Sequence, residues 1–351
     1  MTTFFLNRLA TEPHALAFAG QSTPWPVALA DQTTDPSLDE ALRGHVAAAG
    51  RLLTPVAADL LATTGRPVDL FGFAPNPARL GAAADATASV EGVALTQLGA
   101  LLDLEHLGYS VAQAKPLAVL GHSQGVLAVH MTRAIEAAGS IEAAGTKLDE
   151  ILAVAALIGA AGTRRVRELG LNPKYGEASP MLSVKGATRA QVEALVARVN
   201  NARGPISIAV TNSDNHHVLS GYPEDLAAFA LEAEREHQHQ AKLREQKLHG
   251  GTVFNPTLEY LEVTLPFHSP LMADAVEQTV AWAGACGFDQ KRTRALAEEV
   301  LLNHVDWNAR VKALFDDADP SKLWIVDLGP GNTLGKLIGN VVQGTGIGVV
   351  E

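Results

Sequence analysis

Four short apolar runs constrain this chain more than any other feature in it. They read "HALAFAGQS" near residue 17, "PLAVLGHSQG" near 119, "LEVTLPFHSP" near 265 and "LWIVDLGPGNT" near 326. Each ends in Gly, Pro or a polar residue. Continuous rather than alternating apolar character predicts strands buried on both faces, as in a parallel sheet under helices. Helical patterns over 38–63, 91–107, 124–138, 146–168 and 271–286 separate or follow them. This alternation predicts an α/β fold around an open parallel sheet, and such sheets bind ligands at the carboxyl ends of their strands.

The character changes between residues 178 and 262. "PMLSVKGA", "ISIAVTNSD" and "HHVLSGY" read as strands, with helices at "TRAQVEALVARVN" and "PEDLAAFALEAERE" between or after them. A strand–helix–strand–strand–helix–strand order predicts a ferredoxin-like unit inserted into the larger sheet. The expected division is a large α/β unit over 1–177 and 263–351 and a small unit over 178–262. The charged stretch "EREHQHQAKLREQKLHGG" is expected to prolong the last helix as far as its Gly pair. His237 and His239, two residues apart, point to different helix faces and read as solvated, so no metal site is expected there.

Composition excludes several classes. With 351 residues, 47% of them hydrophobic, the chain can bury a sizeable core. A net charge of −11 opposes binding to phosphate backbones, so nucleic acid is not an expected partner. The lone Cys286 fits a reducing, cytoplasmic setting. "MTTFFLNRLATEPH" lacks the basic start and long apolar stretch of a signal peptide. "ILAVAALIGAAG" is too short to span a bilayer, so no membrane association is expected. The final "GTGIGVVE" is strand-like and lacks a polar tail, as expected of a domain cut from a longer polypeptide.

Gly121-His122-Ser123-Gln124-Gly125 fits G-x-S-x-G, between the strand and the helix which that pattern requires. The glycines permit a sharp turn that lifts Ser123 to a helix N-terminus, where N–H groups and the helix dipole favour an oxyanion. A base is needed to activate the hydroxyl. His268 in "TLPFHSPLM" is expected to close a strand at the same sheet edge, held rigid by Pro266 and Pro270. His122 is expected to project away from the nucleophile. His304 in "LLNHVDW" is the rival, and fits the α/β-hydrolase order Ser, acid, His.

Taken together, these motifs resemble the malonyl/acetyl-CoA:acyl-carrier-protein acyltransferase family. Its signatures are a G-H-S-x-G serine and a later histidine in "P-F-H-S-P-L-M". "FAGQS" stands where that family has its N-terminal G-Q motif and "DLGPGNTL" where it has its G-P-G turn. In detail the chain looks most like the N-terminal acetyltransferase domain of a bacterial type I fatty acid synthase. The resemblance implies an α/β-hydrolase-like core and a Ser–His dyad with no carboxylate third member. Ser123 would be the nucleophile and His268 the base and then the acid. The backbone N–H groups of Gln21 and Gln124 would form the oxyanion hole. The carbonyl of Val300, with Asn303 nearby, would orient the histidine. A coenzyme A thioester would be the substrate, with no bound cofactor and no metal. The expected partners are acetyl-CoA, acyl carrier protein and other synthase domains.

The acyl preference turns on one absence. Malonyl-specific members carry an arginine in a stretch like "M-R-G" that pairs with the free carboxylate of malonate. The matching stretch here is "AALIGAAG", with Ile158 at the arginine position. An unpaired carboxylate buried there would cost several kcal/mol. Arg133 lies roughly 15 Å along the helix from Ser123, and the cluster Arg164, Arg165 and Arg167 begins nearly two turns past Ile158. The sequence therefore predicts acetyl or another uncharged short acyl group, packed against Ile158 and Phe267. The alternatives are a malonyl- or palmitoyl-type loader and a serine (thio)esterase of α/β-hydrolase type.

Overall fold

A computed structural model describes residues 9, 11–21, 23–65, 86–171, 178–199, 205–246, 253–317 and 322–350. Along the chain come β1 (His14–Phe18), α1 (Trp25–Gln32), α2 (Pro36–Leu52), α3 (Ala57–Thr64), α4 (Ala86–His106), α5 (Val111–Ala114), β2 (Ala118–Gly121), α6 (Val126–Ala138) and α7 (Ile141–Glu168). Next are β3 (Met181–Lys185), α8 (Arg189–Val199), β4 (Ser207–Ser213), β5 (His216–Ser220), α9 (Pro223–Glu245) and β6 (Thr257–Tyr260). The rest holds α10 (Ala273–Ala285), α11 (Gln290–Leu301), β7 (Val305–Asp306), α12 (Trp307–Lys312), α13 (Leu314–Asp317), β8 (Trp324–Asp327), α14 (Thr333–Val342) and β9 (Gly348–Val350).

Two sheets result. The larger unit carries a four-stranded sheet of order β2-β1-β8-β9, parallel throughout. All five residues of β1 are buried, as the unbroken apolar run requires. The fold is α/β, with an α/β-hydrolase-like parallel core. Helix α4 is buried on every side from Ala86 to Gly99 and packs along α7. Such a helix belongs to the core of a large unit rather than to its surface.

The second sheet has the order β6-β3-β5-β4-β7. Strands β3 to β6 with α8 and α9 have the order expected of a ferredoxin-like unit, and their pairings are antiparallel. A separate small core, with Val192, Leu195, Leu219 and Phe229 at its centre, lies under this sheet. Strand β7, from the larger unit's sequence, adds a parallel edge to β4.

The third apolar run departs from expectation. Residues 261–269 form no strand; β6 ends at Tyr260 and pairs with β3 of the small sheet. Val263, Leu265 and Phe267 alternate inward and are buried, but Pro266 has no N–H to give a ladder. The fourth place in the large sheet goes to β9. Helix α9 ends at Glu245, and the Gly pair expected to break it lies outside the described residues. His239 is exposed, whereas His237 is half-buried and its Nδ1 is 2.7 Å from the Phe254 carbonyl. That nitrogen ties helix to loop and is not solvated. Among the described residues no single helix is long and apolar enough to cross a membrane.

Candidate active site

Ser123 stands where β2 turns into α6. His122 donates its N–H to the Phe18 carbonyl of the neighbouring strand at 2.9 Å, and a single 3₁₀ turn, Ser123–Gly125, leads into the helix. The φ of Ser123 is 52°, in the left-handed region, which costs a non-glycine residue about 1–2 kcal/mol. Two glycines let the turn close. A Cβ on Gly125 would overlap the Phe18 carbonyl, and one on Gly20 would lie 2.9 Å from the Cβ of Ser123. The end of β1 and the serine turn are thereby pressed together.

His268 reaches the same point from an irregular segment, again with a left-handed backbone, φ 56°. Its Nε2 is 2.7 Å from Ser123 Oγ, and its Nδ1 is 2.7 Å from the carbonyl oxygen of Asn303. A carbonyl only accepts, so Nδ1 carries the proton and Nε2 turns its lone pair to the hydroxyl. Burial above all pushes the imidazole down to about 3, despite that carbonyl; His122, His304 and Arg310 push the same way. The ring is therefore neutral at physiological pH and able to accept the serine proton.

The orienting carbonyl belongs to Asn303, not to Val300. Helix α11 runs to Leu301, so Val300 lies inside it, and a carbonyl within a helix points along the axis. The chain leaves the helix at Leu302, and the carbonyl beyond that point is the one turned to the ring. His304 puts its Nε2 3.1 Å from Thr211 Oγ1, not on the serine.

The two expected oxyanion donors adjoin the turn. Thr23 Oγ1 donates to the Gly20 carbonyl at 3.0 Å, and this fixes the Gly20–Gln21 peptide plane and the direction of the Gln21 N–H. Gln124 is the second residue of the 3₁₀ turn, within the first turn, where an N–H has no partner within the helix. Phe267 and Gln21 line a cleft of about 1190 Å³ that opens at Ser123, between the large unit, the small sheet and α14. Ile158, fully buried on α7, is not among that cleft's lining residues. It lies one turn before Gly162 on the same helix face, and a Cβ on Gly162 would run into Leu265. That face therefore looks toward the segment carrying His268.

The arginines near Ile158 are engaged elsewhere. Arg164 bonds Glu168 and Gln278, Arg165 bonds the Leu271 carbonyl and Asp274, and Arg167 bonds the Thr63 carbonyl. Arg133 pairs with Glu136 at the surface. Among the described residues no cluster of His, Cys, Asp or Glu is arranged to hold a metal.

Some neighbours of the site were not legible in the sequence. His122 does turn from the serine: its Nε2 donates to Asn212 Oδ1 at 2.8 Å, and its ring stands edge-on to Trp307. Burial lowers its pKa. The β4–β5 register shifts between Thr211 and Ser213, which takes Asn212 out of the ladder. Arg310 on α12 donates to the Gly121 carbonyl at 2.9 Å. The partners are 90 and 189 residues apart, so only the fold joins them.

Residues 180–260 match the family described as the fatty acid synthase central AT domain. The fatty acid synthase beta subunit TOXC of Cochliobolus carbonum is 26% identical over 268 residues, covering 66% of this chain. The chain spans only 12% of that protein's length. Among solved structures, the malonyl CoA-acyl carrier protein transacylase of Coxiella burnetii superposes with a TM-score of 0.65 at 17% identity, covering 97% of this chain and 94% of the other. MCAT from Mycobacterium tuberculosis gives 0.63 at 18%, covering 96% of each. The chain thus shares the fold of these transacylases, a parallel core with a ferredoxin-like insert.

Proposed function

We propose that this chain moves a short acyl group from coenzyme A to the pantetheine thiol of acyl carrier protein, through an ester on Ser123. The observation that carries the reading is the 2.7 Å contact of Ser123 Oγ with a buried, neutral His268. As Oγ attacks the thioester carbonyl, its proton passes to Nε2, and the oxyanion meets the N–H groups of Gln21 and Gln124. The C–S bond breaks and the departing thiolate takes the proton from His268. In the second half the carrier's thiol gives its proton to His268, sulfur attacks the ester carbon, and Ser123 leaves with that proton. Burial disfavours the imidazolium, but the oxyanion forms beside it, so the two charges appear together.

The cleft supports a long thioester substrate. Ser123 lines it, and so do two exposed lysines, Lys336 and the Glu259-paired Lys185, offering cations to phosphates. The acyl preference we propose is acetyl, or another uncharged short chain, as in the priming of fatty acid synthesis. Ile158 is apolar and fully buried, and the neighbouring arginines are paired elsewhere. The transacylases of similar fold are named for malonyl, and this favours malonyl loading as the second reading. Intact-protein mass spectrometry after incubation with acetyl-CoA and malonyl-CoA tests both. An acetyl adduct that disappears in Ser123→Ala is expected. A malonyl adduct of equal yield would sink the acetyl preference, and no adduct from either would sink the transferase reading.

A further inference from the structure

The glutamine next to the serine is buried completely. Its side-chain Oε1 accepts from Gln21 Nε2 at 2.6 Å, while its own Nε2 donates to the Val90 carbonyl at 2.6 Å and to the Ser89 carbonyl at 3.3 Å. This amide has only one workable orientation. Reversed, it would set its NH₂ against that of Gln21 and its oxygen against two carbonyls. Gln124 therefore ties three pieces together: the serine turn, the segment that follows β1, and the first turn of α4. A third glutamine works beside it, since Gln97 of α4 donates to the Ala19 carbonyl at 2.6 Å.

We infer that the Gln124 side chain is a positioning residue for catalysis, holding the backbone N–H groups of Gln21 and Gln124 converged on one point beside Ser123 Oγ. The inference rests on the reading of Ser123 as the nucleophile. Those two N–H groups come from segments 103 residues apart. Their separation must hold to a fraction of an ångström, because a misplacement of about 1 Å costs up to about 100-fold in rate. Thr23 sets the tilt of the Gln21 peptide, and the Gln21–Gln124 bond sets its distance from the turn. Buried amide pairs hold geometry well, since no water competes for them. The serine's own hydroxyl and the histidine are untouched by this device.

Fluorophosphonate labelling of Ser123 reads the oxyanion geometry without any acyl-CoA. Ser123 oxygen bonds to phosphorus, its proton goes to His268, fluoride leaves, and the phosphoryl oxygen occupies the hole. The rate is compared for the unmodified chain, Gln124→Met, Gln21→Ala and the double variant, with acetyl loading measured in parallel. Each single change should slow labelling about 10- to 100-fold at saturating reagent, with little change in the half-saturating concentration. The double variant should be no slower than the slower single one, because both cut the same link. Losses that multiply in the double variant, or an unchanged rate in Gln124→Met, overturn the inference. If Gln124→Met does not fold, Gln21→Ala decides alone: it removes one bond from a half-buried side chain and keeps the backbone N–H. An unmodified chain that labels but never loads a thioester would remove the transferase reading and leave this inference standing. An unmodified chain that does not label at Ser123 removes both.

Discussion

The two faces of the cleft are built on opposite principles. On the large unit, Ser123 and His268 both sit at left-handed φ values, in turns closed by glycine or flanked by proline. On the small unit, Ser183 and His216 sit on regular strands, and the Ser183 hydroxyl meets His216 Nε2 at 3.1 Å. A serine and a histidine touch on each side, yet of the two pairs only Ser123 and His268 stand on left-handed backbone. The comparison teaches that contact between the residue types is not enough. Backbone strain, held by surrounding packing, is what distinguishes the pair proposed to react.

The sharpest way to break this comparison is to remove the base. His268→Ala should slow acylation by about 10²–10⁴-fold, whereas His304→Ala should stay within about twofold, as an exposed residue outside the dyad. Stopped-flow or quenched loading assays distinguish them, and a larger loss at His304 would overturn the assignment. Next in size is the acyl switch. Ile158→Arg should raise malonyl over acetyl loading by about 10- to 100-fold, the worth of a charged hydrogen-bonded pair. Acetyl loading and the melting temperature should fall, because the buried cation is then unpaired.

The third test uses acid. Burial lowers His268 to about 3 and His216 to about 4, from an ordinary value of 6.5. The unfolded chain binds more protons than the native one between those values and 6.5, so stability rises with pH across that window. Stability should be full above about pH 6.5 and decline progressively below it, toward pH 4 and 3. Thermal melts across this range check it, and a melting temperature that climbs on acidification would refute it. His268→Gln should flatten the fall more than His216→Gln. Smallest is the recognition face. Ser183→Ala should raise the KM for the thioester about 2- to 10-fold, one hydrogen bond's worth, with kcat unchanged. A large drop in kcat there would erase the distinction between the two faces.

Much of the site was legible because its chemistry imposes local steric demands. In G-H-S-Q-G, Gly125 is required by the close approach of Phe18, and Gly121 by that of the Gly125 and Val126 backbone. The ferredoxin-like order was readable because β3 to β6 and their helices follow one another without interruption. Other features were hidden for equally physical reasons. "LEVTLPFH" has a strand's hydrophobicity but has a proline in the middle, so its burial was legible and its conformation was not. The choice of Asn303 over Val300 depends on where α11 stops, and no capping glycine or proline marks that end. The meetings of Asn212 with His122 and of Arg310 with Gly121 are tertiary, and no local pattern encodes them.

The end of α11 has a consequence for how heat inactivates this protein. Two carbonyls at that helix end, those of Leu301 and Asn303, hold the Ser269 N–H and the His268 ring. Helix ends open more readily than the interior of a packed sheet. The histidine's tautomer and aim thus depend on a helix end, while the position of Ser123 depends on the turn from β2 into α6, pressed against the end of β1. On warming, catalysis and global structure should part company. Turnover is lost as the last turn of α11 frays, at a temperature where the parallel sheet and its helices are still intact, and it returns on cooling.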